Sequence, residues 1–402
     1  MWVAGNWIVV AAALAPVVPG GWVTMVAIAV LATLPIVALL GARASGRYPG
    51  AATRLFVLRP FVYVQMLLPL AAGCALIGGV IGGVVGLASG ASLGMVGGTA
   101  RAGVVVACAV GVLGALLGLI GSRRLVLQPV DVSHPDLPAE FDGLRIVQLS
   151  DLHIGPQTSR AYLARVKRMV DEAAADIIVV TGDLIDDHAA DVDAYARALG
   201  TLAAPMGVFV CAGNHDVYSG WSEVARRLSA LPVTVLVNDA RVLDRGRASL
   251  AIAGTGDPAG RGTAVGPDIP RTLAAIPAGV FTVVLAHNPA LWPALAERGV
   301  QLTLSGHTHW GQLALPSLGW SLATPFNAHA MGVHRNGNAL LSVHPGTGFW
   351  GIPFRLGTPP EVAGGDVAAR GGSSGGAGAA TYLKSCRRAY SAPTGASSAR
   401  KV

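Results

Sequence analysis

The sequence predicts an α/β fold of two packed sheets flanked by helices, preceded by an all-α transmembrane region. Three observations carry this expectation. Residues 1–130 hold no Asp, Glu or Lys, only seven arginines among long apolar runs. From Leu144 onward, short strand-like segments alternate with helical ones. Five of those strand ends deliver an Asp, Asn or His.

The chain has 402 residues, 52% of them apolar and only 13% charged, about half the ~25% charged share of ordinary globular domains. That imbalance is confined to the first third. Trp22–Leu40, Phe61–Ala88 and Gly103–Ile120 are apolar over the ~20 residues that a bilayer requires. Trp2–Val18 offers a fourth, shorter span closed by Pro16 and Pro19-Gly20, so three or four transmembrane helices are expected over residues 1–124. Gly78, Gly82 and Gly86, and again Gly114 and Gly118, repeat every fourth residue, a spacing that lets helices approach closely in lipid; coding bias toward Gly and Ala accounts for it equally well.

Arg43, Arg47, Arg54 and Arg59 crowd one loop and Arg123-Arg124 close the last span, while the intervening loop has no charge before Arg101. Two spans separate the two patches, so the positive-inside rule places both, and the domain after them, on the cytoplasmic side of the cell membrane. The spans carry no Asp, Glu, Lys or His, which points to an anchor and not to an ion relay. The net charge of +7 comes from membrane-flanking loops and a basic tail. No Lys/Arg run interleaved with aromatics accompanies it, which disfavours a nucleic-acid partner. Cys74, Cys108, Cys211 and Cys386 form no Cys-x-x-Cys pair, so neither a disulfide framework nor a zinc knuckle is expected.

Residues 125–143 read as a proline-punctuated linker. Next, strand Leu144–Leu149 leads to a helix over Ala161–Ala174 capped by Ser159. Strand Asp176–Val180 leads to helix Val192–Ala203, and strand Val208–Cys211 to helix Glu223–Ala230. Shorter β-like runs come after them at Val233–Val237, Leu250–Ala253, Val280–Leu285, Leu302–Leu304 and Leu340–Val343, with a helix at Ala290–Glu297 among them. The α/β domain is thus expected over 144–361, and the Gly/Ser/Ala-rich stretch 362–402 reads as a disordered tail.

The residues just past the strands carry the chemistry: Ser150-Asp151-Leu152-His153, Gly182-Asp183, Gly213-Asn214-His215-Asp216, Ala286-His287-Asn288, and Gly306-His307-Thr308-His309. At an extended strand end, residues two apart project to one side, so Asp151 and His153 can face one cavity. In open α/β folds the carboxyl ends of strands surround the ligand crevice, so the five sets should converge. Singly, each residue is more often a cap, a turn former or a hydrogen-bonded histidine. Five such coincidences in order are not. Asp151, His153, Asp183, Asn214, His287, His307 and His309 are too many donors for one tetrahedral zinc and suit two ions, with Mn, Fe or Zn all open. Two divalent cations outweigh two carboxylates and a bridging hydroxide, and the residual positive charge suits a phosphate ester. Asp186 and Asp187 read as loop charges or caps, and His188, His329, His334 and His344 as structural or exposed. Arg261 reads as a solvated loop arginine.

Asp-x-His, Gly-Asp, Gly-Asn-His-Asp, a lone His and Gly-His-x-His, in that order, resemble the calcineurin-like metallophosphoesterase family over Leu144 to Val362. Asn288-Pro289 and the closing Pro353-Phe354-Arg355 and Pro360-Glu361 look like its membrane-anchored bacterial branch. The resemblance implies a four-layer αββα metallophosphoesterase sandwich. It implies that Asp151, His153 and His309 hold a first metal, that Asp183 bridges, and that Asn214, His287 and His307 hold a second. It implies that His215 contacts phosphate and protonates the leaving oxygen, with Asp216 holding its ring. Trp310 stands where relatives often carry Gly, and a ring there is expected to narrow the cleft or touch substrate.

The functional expectation is a membrane-anchored, metal-dependent phosphoric ester hydrolase acting on a phosphodiester, phosphomonoester or pyrophosphate bond. A lipid-linked substrate is preferred because the anchor keeps the enzyme at the bilayer. The rival expectation is a multi-pass transport or sensor protein whose soluble domain binds metal or nucleotide without turnover.

Overall fold

A computed structural model of the chain describes residues 2–44, 50–90, 93–155 and 157–369. It divides into two compact units, Met1–Leu119 and Ile120–Val402.

The first unit is helical: α1 (Trp2–Leu14), α2 (Gly21–Thr33), α3 (Pro35–Ala44), a turn α4 (Ala51–Thr53), α5 (Arg59–Ser89) and α6 (Leu93–Gly121). Two stretches, Leu55–Ser89 and Gly94–Gly121, are long and apolar enough to cross a membrane. Within the expected span Trp22–Leu40, Pro35 opens α3 at its first position, where a missing N–H costs nothing, and Leu34 keeps helical φ/ψ, so a short apolar helix runs over Gly21–Val37. Most of the α5 and α6 apolar surface faces outward: Val80, Val84, Leu87, Val105 and Ile120 are all exposed. Of the glycine spacings, Gly78 and Gly82 mark a close crossing, since a Cβ at either would meet the backbone of α6 near Thr99 and Val96, whereas Gly114 faces open space.

The second unit holds two large sheets. Strands β1 (Val126–Pro129), β2 (Val132–Ser133), β3 (Leu144–Leu149), β4 (Ile177–Thr181), β5 (Val208–Cys211) and β6 (Thr234–Val235) belong to the first sheet. The second contains β7 (Asp239–Arg245), β8 (Ala248–Gly254), β9 (Phe281–Leu285) and β10 (Leu302–Ser305). A short ribbon, β11 (Ala314–Leu315) and β12 (Trp320–Ser321), stands apart from both. The chain then returns to the second sheet with β13 (Gly332–Asn336) and β14 (Ala339–Val343), and to the first with β15 (Glu361–Ala368). The orders are β1-β15-β3-β4-β5-β6, with β2 on β15, and β13-β14-β10-β9-β8-β7. Strands β3 to β6 run parallel, as do β8, β9, β10 and β14. Their carboxyl ends therefore gather along one edge.

Period-two alternation sorts the core. Ile146, Ile177, Val179 and Phe209 of the first sheet meet Ile252, Phe281, Val283 and Leu304 of the second between the sheets. The alternate residues Val147, Ile178, Val180 and Val210 face outward. They are covered by α7 (Arg160–Glu172), α8 (Val192–Leu199), the short α9 (Asn214–Tyr218) and α10 (Trp221–Leu228), with Val166, Tyr195 and Val224 fully buried. On the far side α11 (Ile269–Ala274) and α12 (Trp292–Ala296) cover Val284, Leu341 and Val343. This is the four-layer αββα arrangement. Ser159 caps α7 as expected, accepting the Tyr162 N–H.

Two boundaries differ from the sequence expectation. The linker 125–143 contributes β1 and β2, and the expected tail begins as a strand. β15 pairs with β1, β2 and antiparallel with β3. Gly364 and Gly365 give β15 no strand signature of its own, so the pairing partners impose the conformation; a Cβ at Gly365 would meet the Val130 backbone. Residues 370–402, the rest of the expected disordered tail, lie outside the described residues. Phe281 is buried between the sheets, with its ring 5.1 Å from that of His134. Phe281→Ala should destabilise the second unit by about 3–5 kcal/mol, read as a fall in the thermal unfolding midpoint of the full chain in detergent.

Candidate metal centre

Each predicted site side chain leaves from the carboxyl end of a parallel strand or the turn just beyond it. The extended backbone expected at Asp151 and His153 is not what the structure shows. Asp151, His153, Asp183, His307 and His309 all have positive φ, between 43° and 72°. For residues with a Cβ this region is strained, and such strain collects where geometry is over-determined by function. The loops are tied as a continuation of the sheet: Asp151 N–H donates to Gly182 O and His153 N–H to Asp183 O, each at 3.0 Å.

The seven donors converge in two overlapping groups. In one, His153 Nε2 lies 2.9 Å from His309 Nε2, and His309 Nε2 lies 3.3 Å from Asp151 Oδ1. In the other, Asn214 Oδ1 lies 3.1 Å from His287 Nε2 and 2.8 Å from His307 Nδ1. Asp183 stands between them, with Oδ2 3.3 Å from His287 Nε2 and 3.5 Å from His153 Nε2. Its other oxygen accepts the His215 N–H at 2.7 Å. His287 Nδ1 faces the Thr181 carbonyl at 2.8 Å, which fixes the proton there and turns the Nε2 lone pair inward. Imidazole nitrogens and carboxylate oxygens this close, with no thiolate, form a donor set that fits divalent cations.

Without cations the charges are badly matched. Burial opposes ionisation of Asp183, yet His287, and beyond it His153 and His215, hold its carboxyl below the usual range. Burial opposes charge on His287 too, and Asp183 overrides it and holds the ring well above its usual value. Burial, with His153 and Arg355 nearby, pushes His309 far down.

His215 is half-buried, its ring edge-on to His153 at 4.7 Å and near Tyr218 and Trp350 at 5.8 and 6.3 Å. The expectation that Asp216 holds this ring is not met. Asp216 spends its oxygens on the N–H groups of Leu184, Ile185 and Gly213, clamping two ligand loops together. Burial, helped by Asp183, pushes its carboxyl up to about 7. The residue on the ring is Asp186, whose carbonyl lies 2.5 Å from His215 Nδ1 and whose Oδ1 is 3.4 Å from His153 Nδ1. Asp186 is therefore no mere loop charge, and its position three after Asp183, in Gly-Asp-x-x-Asp, is the signal in the sequence that marks it.

Two further residues have places at the site that the sequence reading did not assign. Arg355 is fully buried and donates to the carbonyls of Pro345, Gly348 and His309, reaching within 3.1 Å of His309 Nδ1. Asp257, one more carboxylate just past a strand end, is buried beside His287 and His307, whose charges oppose the upward push of burial. Trp310 does not line the cleft. It is buried against Ala314 and Met331. Among the other histidines, His188 caps a turn through Ala190 N–H and His329 stacks with Trp292 and His334. Arg261 is exposed.

The calcineurin-like phosphoesterase family profile matches residues 144–311. A transmembrane protein with metallophosphoesterase domain from Danio rerio is 34% identical over 268 residues, 62% of this chain and 60% of that protein. An uncharacterized metallophosphoesterase, YkuE of Bacillus subtilis, is 31% identical over 231 residues, 56% of this chain and 79% of that one. The chain spans about 60% of the length of the first of these relatives. The crystal structure of calcineurin-like phosphoesterase YfkN from Bacillus subtilis aligns with a TM-score of 0.35 at 14% identity, over 50% of this chain and 81% of that one.

A Cβ on Gly213 would collide with the backbone N and carboxylate of Asp183. Gly213→Ala should weaken Mn²⁺ binding by about 10–100-fold in calorimetric titration, with the fold retained by circular dichroism. His344 supplies a pH test. Burial, and then Arg355, pushes its ring down to about 3, whereas the unfolded chain protonates it near ~6.5. Its contribution to stability is complete above ~6.5 and drains as pH falls toward 3, by at most about 1.4 kcal/mol per pH unit. Urea midpoints of His344→Asn should therefore fall less steeply than wild type between pH 6.5 and 4.

Proposed function

This chain belongs to the calcineurin-like metallophosphoesterase family, and from that premise we propose that it is a membrane-anchored, two-metal phosphoesterase. The observation that carries the reading is Asp183 standing between two donor groups, with His215 beside both and spent on neither. Asp151, His153 and His309 would hold one cation, Asn214, His287 and His307 the other, with Asp183 shared. When bound, two such cations supply Lewis acidity, an activated water and a clamp on the attacking and leaving oxygens of an in-line displacement.

The rest belongs to the side chains. His215 Nδ1–H donates to the Asp186 carbonyl, which sets the ring; as an imidazolium it carries a second proton on Nε2, which would meet the phosphate and pass that proton to the leaving oxygen, leaving the neutral ring. Asp216 keeps the Asp183 and Asn214 loops in register, and Arg355 fixes the turn that carries His309. Tyr218 and Trp350 wall the His215 side with exposed aromatic surface, which suits a substrate with an apolar portion. The reaction is hydrolysis of a phosphodiester, phosphomonoester or pyrophosphate bond, and a lipid-linked substrate is favoured. Support for anchoring comes from α5 and α6 and from the relative named as a transmembrane protein. The arginine distribution supports a cytoplasmic catalytic side.

Full-chain wild type and His215→Ala, loaded with Mn²⁺ and assayed on aryl phosphomonoesters, aryl phosphodiesters and a lipid pyrophosphate, test this reading. The expected outcome is a loss of about 10²–10⁴-fold in kcat with metal content, measured by mass spectrometry, unchanged. Loss of metal would remove His215 from its role, and wild-type inactivity on all three with metal bound would favour a non-catalytic binding domain.

A further inference from the structure

Directly after the Gly306-His307-Thr308-His309 turn the chain makes an excursion that neither sheet requires. β11 and β12 form a two-stranded finger, Ala314 opposite Ser321 and Leu315 opposite Trp320. Its inner side is built: Ala314 and Ser321 are buried, and Trp310 and Met331 pack beneath. Its outer side is apolar and bare, with Leu318 74%, Phe326 86%, Leu315 47%, Leu322 44% and Trp320 37% exposed. Beyond residue 124, nine large apolar residues are exposed among the described residues, and these five fall within twelve positions.

We propose that this finger, Ala314–Phe326, seats in the interfacial layer of a lipid bilayer and brings the His215 edge of the cleft to the headgroups. Three observations select lipid over a protein partner. Residues 299–334 contain no Asp, Glu, Lys or Arg, so the face offers no charge to fix a protein partner's orientation, whereas Trp, Phe and Leu on an uncharged loop are the composition of an interfacial anchor. The tip satisfies its own backbone, as lipid contact demands: Gly319 N–H donates to Pro316 O, Leu322 N–H to Leu313 O and Phe326 N–H to Ala323 O. The same chain also carries two helices of bilayer-crossing length.

The finger is rigidly coupled to the cleft. Ala314 N–H donates to Leu356 O and Leu356 N–H to Gln312 O, each at 2.9 Å. The Gln312 amide grips both backbone groups of Trp350, at 3.0 and 2.8 Å, and Trp350 flanks His215. A finger seated in lipid thus holds the cleft where an amphiphilic phosphoester would present its headgroup.

The test uses the full chain with its four cysteines replaced, carrying a single Leu318→Cys or, as control, Arg247→Cys at an exposed site of the same unit. Each is labelled with the polarity-sensitive dye NBD and reconstituted into phosphatidylcholine–phosphatidylglycerol vesicles. The Leu318 label should emit to the blue, be quenched several-fold more by doxyl lipids than the Arg247 label, and be shielded from iodide. Iodide access without doxyl quenching would place the finger in water, and shielding from both would place it against protein; either result overturns the proposal. The dye reads polarity and not turnover, so this outcome is separate from that of the phosphoesterase reading.

Discussion

Electrostatic crowding at the sheet edge governs the rest of this structure. Asp151, His153, Asp183, His287 and His309 are all buried, with polar atoms of neighbouring side chains 2.9–3.5 Å apart. Packing so many lone pairs and partial charges away from water is costly unless cations or fixed partners balance them. The opposed displacements of His287 and His309, one held well above its ordinary range and the other well below, express that crowding. Divalent ions would resolve it, and the arrangement around the donors is built to hold them in place for that purpose.

Rigidity around the donors comes from backbone and not from side-chain packing alone. Five donor residues sit in left-handed conformations, which a free loop would abandon. They persist because the loops are stitched laterally, Asp151 to Gly182, His153 to Asp183 and Gly306 to the His287 carbonyl. Asp216 adds a clamp by accepting N–H groups from two different loops. A second layer, Arg355 on the 345–348 turn and the His309 carbonyl, braces the other side. The strain is distributed over many hydrogen bonds, each ordinary.

The two units solve different solvent problems. In the second, most apolar strand residues are buried on one of two faces, and five of the nine exposed large apolar residues among the described ones beyond residue 124 gather on the β11–β12 finger. In the first, many apolar residues of α5 and α6 point outward, while Val10, Met25, Leu68, Ala71, Val104 and Ala107 form a small buried cluster and Gly78 and Gly82 cross closely against α6. Aromatic walls at Tyr218 and Trp350 carry the apolar character from the finger to the edge of the cleft.

Much of this was legible in the chain. Short apolar runs located β3, β4, β5, β9 and β10 to within a residue or two, because a strand buried on both faces must be continuously apolar. The donor residues were legible because Asp, Asn and His recur after strands in an order that chance does not supply. What the sequence could not specify depends on partners distant along the chain. β15 has a glycine-rich sequence and is a strand only because β1 and β3 offer it hydrogen bonds. Asp186, through its backbone carbonyl, and not Asp216 meets the His215 ring because the partner of that ring depends on how the 182–186 loop folds over α9. Residue types and their spacing along one strand are local, and sequence by itself determined them. Which side chain meets which across 30 to 200 residues was decided only by the tertiary structure, since register between strands and the left-handed turns that close the loops arise from contacts that no single segment contains.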